Sequence, residues 1–411
     1  MRQFAFLCAI LASAASAYAS DPIARDEYRS RRAELRKGLE GPLVLFGRAE
    51  GSDDVFRGFQ EPNFYYLTGW EEPGAILLLT RSEEILFLPH RNSRRELYMG
   101  RRTAAEDANA AAETGFDAVL PLERFESQFA KALETGPDVY ALPDHPETER
   151  VKALAPLRDI RAASALVAKL RSKKSPAEIA AIQHATDVSI QAQREAWKHV
   201  RAGGAEYEAA GAFLGAVIAA GCEGPAYSPI FGSGPNATTL HYSANSRRMD
   251  AGELIVIDAA ARCGGYTSDI TRTLPVDGKF TRRQREIYDI VLGAQKAAIA
   301  AIKPGVTFSS LTSAAREYIN AHGKDAKGNP LGKYLPHGVS HSVGLDVHDP
   351  TGGVSTLSAG MVITVEPGIY IPEEKIGVRI EDTVLVTDNG AKILSGALPK
   401  EPDEVERALA K

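Results

Sequence analysis

The chain has 411 residues, of which 44% are hydrophobic and 25% charged, with a formal net charge of −5 at pH 7. This is the composition of an ordinary globular protein, and the length is sufficient for two domains because single cores rarely grow beyond about 250 to 300 residues. The sequence pI of about 6.1 indicates no basic surface for nucleic acid, so we expect no nucleic-acid partner.

The first twenty residues have the pattern of a secretory signal. Arg2 precedes a short apolar run from Phe4 to Leu11, and an A-x-A cleavage motif ends at Ala19. We therefore expect a signal peptide over residues 1–19 and a periplasmic or secreted protein. The apolar run is too short to span a bilayer as a stable helix, so we expect no stable membrane anchor. An anchor or an ordinary N-terminal helix is the alternative.

Two cysteines, Cys222 and Cys263, remain after removal of such a signal. An oxidising compartment permits a disulfide between them, but the distance that decides this is not readable from the sequence. Two buried thiols are the alternative. The sequence has no C-x-x-C spacing, so we expect no zinc site built on cysteines.

The next part of the chain mixes helical and strand-like segments. Charged residues interspersed with Leu and Ala over residues 25–39 predict a surface helix. Apolar runs punctuated by Gly and Pro predict strands. These strands are expected at Leu43–Phe46, Phe64–Leu67, Ala75–Leu79 and Glu84–Leu88. Together the segments indicate an α/β domain over residues 20–165.

A second domain is predicted over residues 166–411. It begins with Ser175, a good helix N-cap that is followed by Pro176 at the first helical position and by Glu178, which completes a capping box. This helix is expected to end near Val200. Further helices are expected at roughly 207–220, 284–302 and 309–322, with strands punctuated by Gly around them.

A predicted hairpin over residues 253–273 carries two aspartates. An apolar run precedes Asp258, a run rich in Thr surrounds Asp269, and Cys263-Gly264 is a plausible two-residue turn. With that turn the two carboxylates lie directly opposite each other, roughly 5 Å apart at Cβ, where like charges destabilise the pair. A cation is therefore expected between them. The alternative is a bulge that spoils the register, with one aspartate only capping a neighbouring backbone group.

Further potential metal ligands follow in the same domain. Three histidines, His337, His341 and His348, are concentrated in a Gly-rich segment that has little helical pattern. Glu366 ends an apolar strand just before Pro-Gly. Taken alone, a glutamate in that position is typical of a strand end that faces solvent.

The strand IGVRIEDTVLV adds a fourth carboxylate. Its alternation places Arg379 and Glu381 on one face, where a surface ion pair is the simplest interpretation of the two residues alone. Four carboxylates and an imidazole in one domain are, however, suitable donors for two divalent ions. Two such ions roughly 3.5 to 4 Å apart support hydrolysis. The oxygen-rich set favours manganese, with cobalt and zinc as alternatives.

The order of these residues resembles that of a known family. Similar motifs occur in the dinuclear metallopeptidases that include aminopeptidase P, prolidase and methionine aminopeptidase. The motifs here are Asp258, Asp269, HGVSHSVGLDVHD with His341, TVEPG with Glu366 and RIED with Glu381. The match covers roughly residues 170–390. FRGFQEPNFYYLTGWEEPGAILLL, at residues 56–79, resembles the N-terminal domain of aminopeptidase P.

The resemblance implies a fold and a set of ligands. The fold is mixed α/β (α+β), with a smaller creatinase-like α/β domain before a C-terminal pita-bread catalytic domain. Asp269 and Glu381 would bridge two metal ions, Asp258 would complete one of them, and His341 and Glu366 would complete the other. Glu366 would also accept a proton from the bridging water.

The resemblance assigns roles to five further residues. His241 and His348 match histidines that contact the substrate and stabilise its reacting carbonyl, and His337 matches one that lines the proline side. Tyr370 and Arg379 match positions behind the ligands, where Arg379 is expected to orient the neighbouring Glu381.

These assignments imply a two-metal Xaa-Pro aminopeptidase, which hydrolyses the bond between an N-terminal residue and proline by means of a metal-bridging hydroxide. An Xaa-Pro dipeptidase (prolidase) is the first alternative. A non-catalytic peptide-binding protein or a metal-free creatinase-like protein is the second. The expected partners are peptides with proline at the second position and further copies of this chain, in a dimer or tetramer.

Overall fold

A computed structural model describes residues 23–49, 59–325 and 327–410. The predicted signal peptide, residues 1–19, lies outside the described residues. Within the described ranges, no helix combines the length and the apolar character needed to cross a lipid bilayer.

The N-terminal half is built on one mixed sheet with helices on both sides. Its strands are β1 (Leu43–Phe46), β2 (Ile76–Leu79), β3 (Glu84–Leu88), β4 (Ala118–Pro121), β5 (Val139–Ala141) and β6 (Ile160–Ala162). Its helices are α1 (Arg25–Lys37), α2 (Pro62–Thr68), α3 (Ser93–Met99), α4 (Ala110–Thr114), α5 (Phe125–Ala132), α6 (Thr148–Leu154) and α7 (Ala163–Arg171). The strand order is β4-β3-β2-β1-β5-β6.

Strand residues of this sheet alternate between two apolar cores. Leu43 and Leu45 belong to the core that includes residues of α1, α2 and α7, whereas Val44 and Phe46 belong to the core that includes α5. Because side chains of a strand point alternately to opposite faces, a sheet covered on both faces needs continuous apolar runs. The apolar runs predicted as β1, β2 and β3 meet this requirement and are confirmed.

The strand predicted at Phe64–Leu67 is wrong, because these residues lie in α2. Aromatic residues favour strands, but the segment is bounded by helix caps. The Glu61 carboxylate accepts a hydrogen bond from the Phe64 backbone N–H at 2.6 Å, and Gly69 ends the helix with φ of 61°. The caps and the apolar core therefore outweigh the strand preference of these side chains.

The C-terminal half combines small antiparallel sheets with long helices. Its strands are β7 (Gly224–Pro225), β8 (Ile230–Ser233), β9 (Leu254–Asp258), β10 (Ala261–Cys263), β11 (Tyr266–Thr267), β12 (Thr271–Pro275), β13 (Val362–Val365), β14 (Gly368–Ile371), β15 (Ile376–Arg379), β16 (Asp382–Thr387) and β17 (Gly390–Ile393). Its helices are α8 (Pro176–Trp197), α9 (Glu206–Ala219), α10 (Arg282–Ala300), α11 (Phe308–His322) and α12 (Pro402–Leu409). Short 3-10 turns occur in both halves of the chain, at Leu122–Arg124, Leu133–Thr135, Gly234–Thr238, Leu331–Tyr334 and Pro372–Glu374.

The strands of this half form sheets in the orders β11-β10-β7, β12-β9-β8, β13-β16-β17 and β14-β15. Helices α8 and α9 share an apolar core with β9 and β12, and α10 and α11 share another with β13, β15 and β16. The capping box at the start of α8 is confirmed, with Ser175 and Glu178 each bonding the backbone N–H of the other. All four helices predicted in this half are present.

The hairpin that carries the two aspartates is present, but its predicted register is wrong. Cys263 pairs with Tyr266, so the turn is Gly264-Gly265, with φ of 57° and 79°. Positive φ at both central residues suits a tight hairpin turn and favours glycine. Consequently Asp258 lies opposite Thr271 rather than Asp269. The two aspartates are diagonal neighbours, which still brings them together.

A disulfide joins Cys222 to Cys263, with their Cα atoms 4.5 Å apart. It links the chain just after α9 to the last residue of β10, and so connects a helix to the hairpin of Asp258. The alternative of two free thiols is therefore wrong. The bond closes a sequence separation of 41 residues, which restricts the unfolded chain.

We expect the disulfide to stabilise the protein by about 2 to 4 kcal/mol. A Cys222→Ala/Cys263→Ala variant should lose that amount of unfolding free energy, measured by urea denaturation, and added dithiothreitol should destabilise the wild type but not the variant. Equal urea midpoints for the variant and the oxidised wild type would contradict this prediction.

Candidate metal centre

The ends of several strands in the C-terminal half surround a cavity of 470 Å³. Asp258 is the last residue of β9, and Asp269 lies just before β12. Glu366 follows β13, and Glu381 lies between β15 and β16. All five predicted ligands line this cavity, since His341 joins the four carboxylates there. Glu366 is therefore not a strand-end residue that faces solvent, and Glu381 is not part of a surface ion pair. Both of these simplest interpretations are wrong.

The imidazole of His341 faces two of these carboxylates. Its Nε2 atom lies 3.4 Å from Asp269 Oδ2 and 3.5 Å from Glu366 Oε1. Its Nδ1 atom lies 3.1 Å from the carbonyl oxygen of Ser342. Donation from Nδ1–H to that carbonyl leaves Nε2 as the nitrogen available to a metal.

Burial and mutual repulsion perturb the pKa values of the carboxylates. Burial, reinforced by Asp269 and Glu366, raises the pKa of Glu381 well above its usual value. Burial likewise raises the pKa of Glu366 to about 7, although His341 opposes this effect. Burial works against a charged His341, but the hydrogen bond and charge of Asp269 together with Glu366 raise its pKa to about 9. The site therefore favours bound cations or protons.

Arg379 supports two ligands by different routes. Its Nη2 atom donates to Asp258 Oδ2 at 2.7 Å. Its Nε atom donates to Thr271 Oγ1 at 3.2 Å, and this hydroxyl donates to Glu381 Oε2 at 2.7 Å. Arg379 thus reaches the neighbouring glutamate through Thr271, and pairs directly with the aspartate of another strand.

Tyr227 is a site residue that the sequence analysis missed. Its hydroxyl lies 2.5 Å from Asp258 Oδ1 and 2.6 Å from Asp269 Oδ1. Burial and the two nearby aspartates raise the pKa of this hydroxyl well above its usual value, so it remains protonated. The contacts span 31 and 42 residues of sequence, and no local pattern around Tyr227 indicates them.

The predicted outer histidines lie on the cavity wall. His241, His337 and His348 all line the cavity. The ring centroid of His348 lies 4.2 Å from that of His341, with the planes at 80°. His337 Nε2 lies 3.0 Å from the hydroxyl of Tyr370. Arg379 Nη1 donates to this same hydroxyl at 2.8 Å, so Tyr370 bonds two residues that line the cavity.

The loop that carries His341 and His348 is fixed by a buried ion cluster. Asp349 accepts from Arg171 Nη2 at 2.6 Å and from Lys174 Nζ at 3.1 Å. Lys174 also donates to the hydroxyl of Ser342 at 3.0 Å. Burial raises the pKa of the Asp349 carboxyl, but the two cations outweigh it and hold the pKa below its usual value. The residues that follow the two histidines are therefore held by one cluster.

Comparison with known proteins identifies the family. The model of metallopeptidase family M24 matches residues 180–388, and that of the aminopeptidase P N-terminal domain matches residues 28–140. This chain belongs to metallopeptidase family M24. The expected pita-bread domain, preceded by an aminopeptidase P type N-terminal domain, is thereby confirmed.

Several known proteins are similar to most of the chain. The Xaa-Pro aminopeptidase of Haemophilus influenzae is 34% identical, over 94% of this chain and 97% of its own length. The structure of Escherichia coli aminopeptidase P with the inhibitor Pro-Leu has a TM-score of 0.85 at 31% identity and covers 94% of this chain and 98% of its own. An Xaa-Pro dipeptidase of Pyrococcus horikoshii is 35% identical, over 82% of this chain and 91% of its own length.

The cavity fits the divalent metal ions that family M24 implies. Ligand atoms of Asp269, His341 and Glu381 all lie within 4.8 Å of one another. Asp258 and Glu366 add two more carboxylates on the same cavity. Buried carboxylates with one imidazole match the preferences of hard and borderline divalent ions.

We expect Mn²⁺ affinity to rise with pH, because the metal must displace protons. Glu366, with a pKa of about 7, is largely protonated below pH 7, and His341, with a pKa of about 9, is largely protonated below pH 9. Glu381, with a pKa raised well above its usual value, adds a further proton that the metal must displace. The logarithm of the binding constant should therefore rise by at least one per pH unit between pH 7 and pH 9, and more steeply below pH 7, where Glu366 also releases a proton. Calorimetric titration from about pH 6 to pH 9 measures the slope.

Glu366→Gln provides the control for this measurement, since it removes one titrating group. The steeper segment below pH 7 should then disappear. An affinity that is independent of pH in the wild type would refute the assignment of these two groups as ligands.

Replacement of Tyr227 by Phe should weaken Mn²⁺ binding by roughly tenfold, because Asp258 and Asp269 lose the hydroxyl that lies between them and orients their carboxylates. The matched control is Tyr288→Phe, which removes another buried hydroxyl bond, 2.8 Å from the carbonyl of Lys400. Equilibrium dialysis should show normal Mn²⁺ affinity in the control. Equal affinities in the two variants would contradict the role of Tyr227.

Proposed function

We propose that this protein is a metal-dependent Xaa-Pro aminopeptidase, which hydrolyses the peptide bond between an N-terminal residue and proline. The observation that carries the proposal is the convergence of four carboxylates and His341 on one cavity. This convergence occurs in a chain that matches both the M24 family and the aminopeptidase P N-terminal domain. Its relatives of similar length include Xaa-Pro aminopeptidases.

We propose two divalent ions as the cofactor, with Mn²⁺ as the resident metal and Co²⁺ or Zn²⁺ as ions that can replace it. Support comes from the donor set, which contains four carboxylates, one imidazole and no thiolate. Bound ions of this kind polarise a substrate carbonyl and make water a better nucleophile. Asp258, Asp269, His341, Glu366 and Glu381 would hold them.

The remaining chemistry falls to side chains of this chain. Glu366 lies on the cavity among the other proposed ligands, where its carboxylate is suited to accept a proton from the attacking water and to return it to the leaving amine. His241 and His348 lie on the cavity wall, where an imidazole N–H can donate to the carbonyl oxygen of the substrate.

Selectivity for proline needs a rigid wall, because the pyrrolidine ring lacks an N–H and fixes the backbone angle. His337 is suited to form that wall. Its Nδ1 atom lies 2.8 Å from the Gly338 carbonyl, and its Nε2 atom lies 3.0 Å from the Tyr370 hydroxyl. Both ring nitrogens have partners, so the ring is held in one orientation.

The second candidate function is an Xaa-Pro dipeptidase, which the similarity to the Pyrococcus horikoshii enzyme favours. Two observations favour the aminopeptidase. Residues 28–140 match the aminopeptidase P N-terminal domain, and the Xaa-Pro aminopeptidases match nearly the whole chain. A metal-free creatinase-like protein or a non-catalytic binder would need no such set of ligands.

We also propose a periplasmic or secreted location and a homo-oligomer, either a dimer or a tetramer. The pattern of residues 1–19 supports export, and a disulfide between Cys222 and Cys263 is consistent with an oxidising compartment. Leu97, Tyr98 and Met99 on α3 are 86%, 77% and 61% exposed. Three consecutive exposed apolar side chains support an interface on the N-terminal domain.

The substrate proposal is tested with Xaa-Pro-Xaa tripeptides against Xaa-Pro dipeptides, each with Mn²⁺. We expect tripeptide hydrolysis that stops on addition of EDTA and returns with Mn²⁺. Asp269→Asn should lower kcat/KM by more than about a hundredfold, because it removes a metal ligand. Turnover of dipeptides alone would establish the dipeptidase instead, and an active Asp269→Asn protein would exclude the proposed site.

A further inference from the structure

Two fully buried glutamines lie behind the strands that carry the carboxylate ligands. Gln193 is on α8, and its Nε2 atom donates to the carbonyl oxygens of Ala259 at 3.0 Å and Ile270 at 3.1 Å. These are the residues that directly follow Asp258 and Asp269. One amide group thus bonds the backbone beside both aspartates.

Gln295 on α10 makes the corresponding contacts in the other half of the domain. Its Nε2 atom donates to the carbonyl oxygens of Val365 and Ile380, both at 3.1 Å. These are the residues that directly precede Glu366 and Glu381. Each of the four carboxylate residues is therefore next in sequence to a residue whose backbone carbonyl accepts from a glutamine amide. Gln193 bonds the pair beside the aspartates, and Gln295 bonds the pair beside the glutamates.

These carbonyls lie where the regular strands stop. Residue 259 follows the end of β9, residue 270 precedes β12, and residue 380 lies between β15 and β16. A buried carbonyl outside a strand, such as that of Ala259 or Ile380, needs another donor. The Ile270 carbonyl also accepts from the Ala259 backbone N–H at 3.2 Å, and Val365 is the last paired residue of β13. The two N–H bonds of one amide have fixed geometry, so an amide that bonds two such carbonyls sets the distance between the strands. The Nε2 atom of Gln295 also lies 3.1 Å from Asp382 Oδ2.

The orientation of each amide is fixed from the other side. Gln193 Oε1 accepts from Trp197 Nε1 at 3.2 Å, and Gln295 Oε1 accepts from Lys400 Nζ at 3.1 Å. A donor at each oxygen requires that the NH₂ group face the carbonyls. Both glutamines are 0% exposed, so no water competes for these bonds.

We propose that Gln193 and Gln295 are positioning residues of the metal centre. Each sets the spacing of one pair of carboxylates through the backbone, Gln193 for Asp258 and Asp269, and Gln295 for Glu366 and Glu381. Neither glutamine lines the cavity. The inference rests on the proposed function in that the carboxylates bind divalent metal.

The test replaces each glutamine by methionine, which has a similar volume and no donor. Gln193→Met and Gln295→Met should weaken Mn²⁺ binding by roughly 10- to 100-fold and lower kcat. The matched control is Gln284→Met, on the helix that carries Gln295. Gln284 is also buried and donates to a backbone carbonyl, that of Gly252, at 2.8 Å. The control should lower the melting temperature while Mn²⁺ affinity and kcat remain normal.

Mn²⁺ affinity is measured calorimetrically without peptide, and thermal melting is measured in parallel. Folded Gln193→Met and Gln295→Met proteins that bind Mn²⁺ as well as Gln284→Met would overturn the proposal. If the methionine variants do not fold, Trp197→Phe decides, because it removes the N–H that orients the Gln193 amide and keeps an aromatic ring at that position. It should weaken Mn²⁺ binding about fivefold, and unchanged affinity would again overturn the proposal.

Failure of the proposed function has a different result. A wild-type protein that binds Mn²⁺ but does not hydrolyse Xaa-Pro peptides contradicts the aminopeptidase. The metal affinities of the glutamine variants then still confirm or refute the positioning role.

Discussion

Electrostatic repulsion among four carboxylates is the constraint on which the site depends. Asp258, Asp269, Glu366 and Glu381 share one cavity, and Arg379 pairs directly with Asp258. Two like charges about 4 Å apart repel by roughly 4 kcal/mol at the effective dielectric of a partly buried site. The folded chain can hold such a group only if the surrounding structure prevents the strands from separating. The same repulsion is the source of the affinity for divalent cations.

Glu381 and Asp382 are adjacent in sequence but have different roles. Asp382 forms ion pairs that stabilise the fold, whereas Glu381 faces the cavity. Asp382 points away from the cavity, where Arg272 Nη2 lies 2.8 Å from its Oδ1 atom and Lys400 is a second partner. Burial raises the pKa of Asp382, but these two cations outweigh it and hold that pKa well below the usual value. Glu381 receives only a hydroxyl from Thr271 among the described side chains. Strand alternation therefore separates a paired structural carboxylate from one left available for metal.

The sequence was sufficient to predict those parts of the site that rest on local pattern. Strand alternation and cap residues predicted α8 and the shared face of Arg379 and Glu381, and the resemblance predicted the ligand set. The register of the hairpin was predicted wrongly from Cys263-Gly264. Gly264-Gly265 is the better two-residue turn, because both central residues need positive φ. The contact of Tyr227 with the aspartates depends on tertiary packing across 31 and 42 residues.

The ion cluster at Asp349 connects the two halves of the chain at the site. Arg171 is the last residue of α7, which packs with the N-terminal core. Its Nη1 atom donates to Asn63 on α2 at 2.9 Å, while its Nη2 atom donates to Asp349 in the histidine loop. A change in the packing of α2 or α7 would therefore be transmitted to His348, the residue beside Asp349, by a buried ion pair that resists being pulled apart. The N-terminal domain is thus part of the support of the histidine loop.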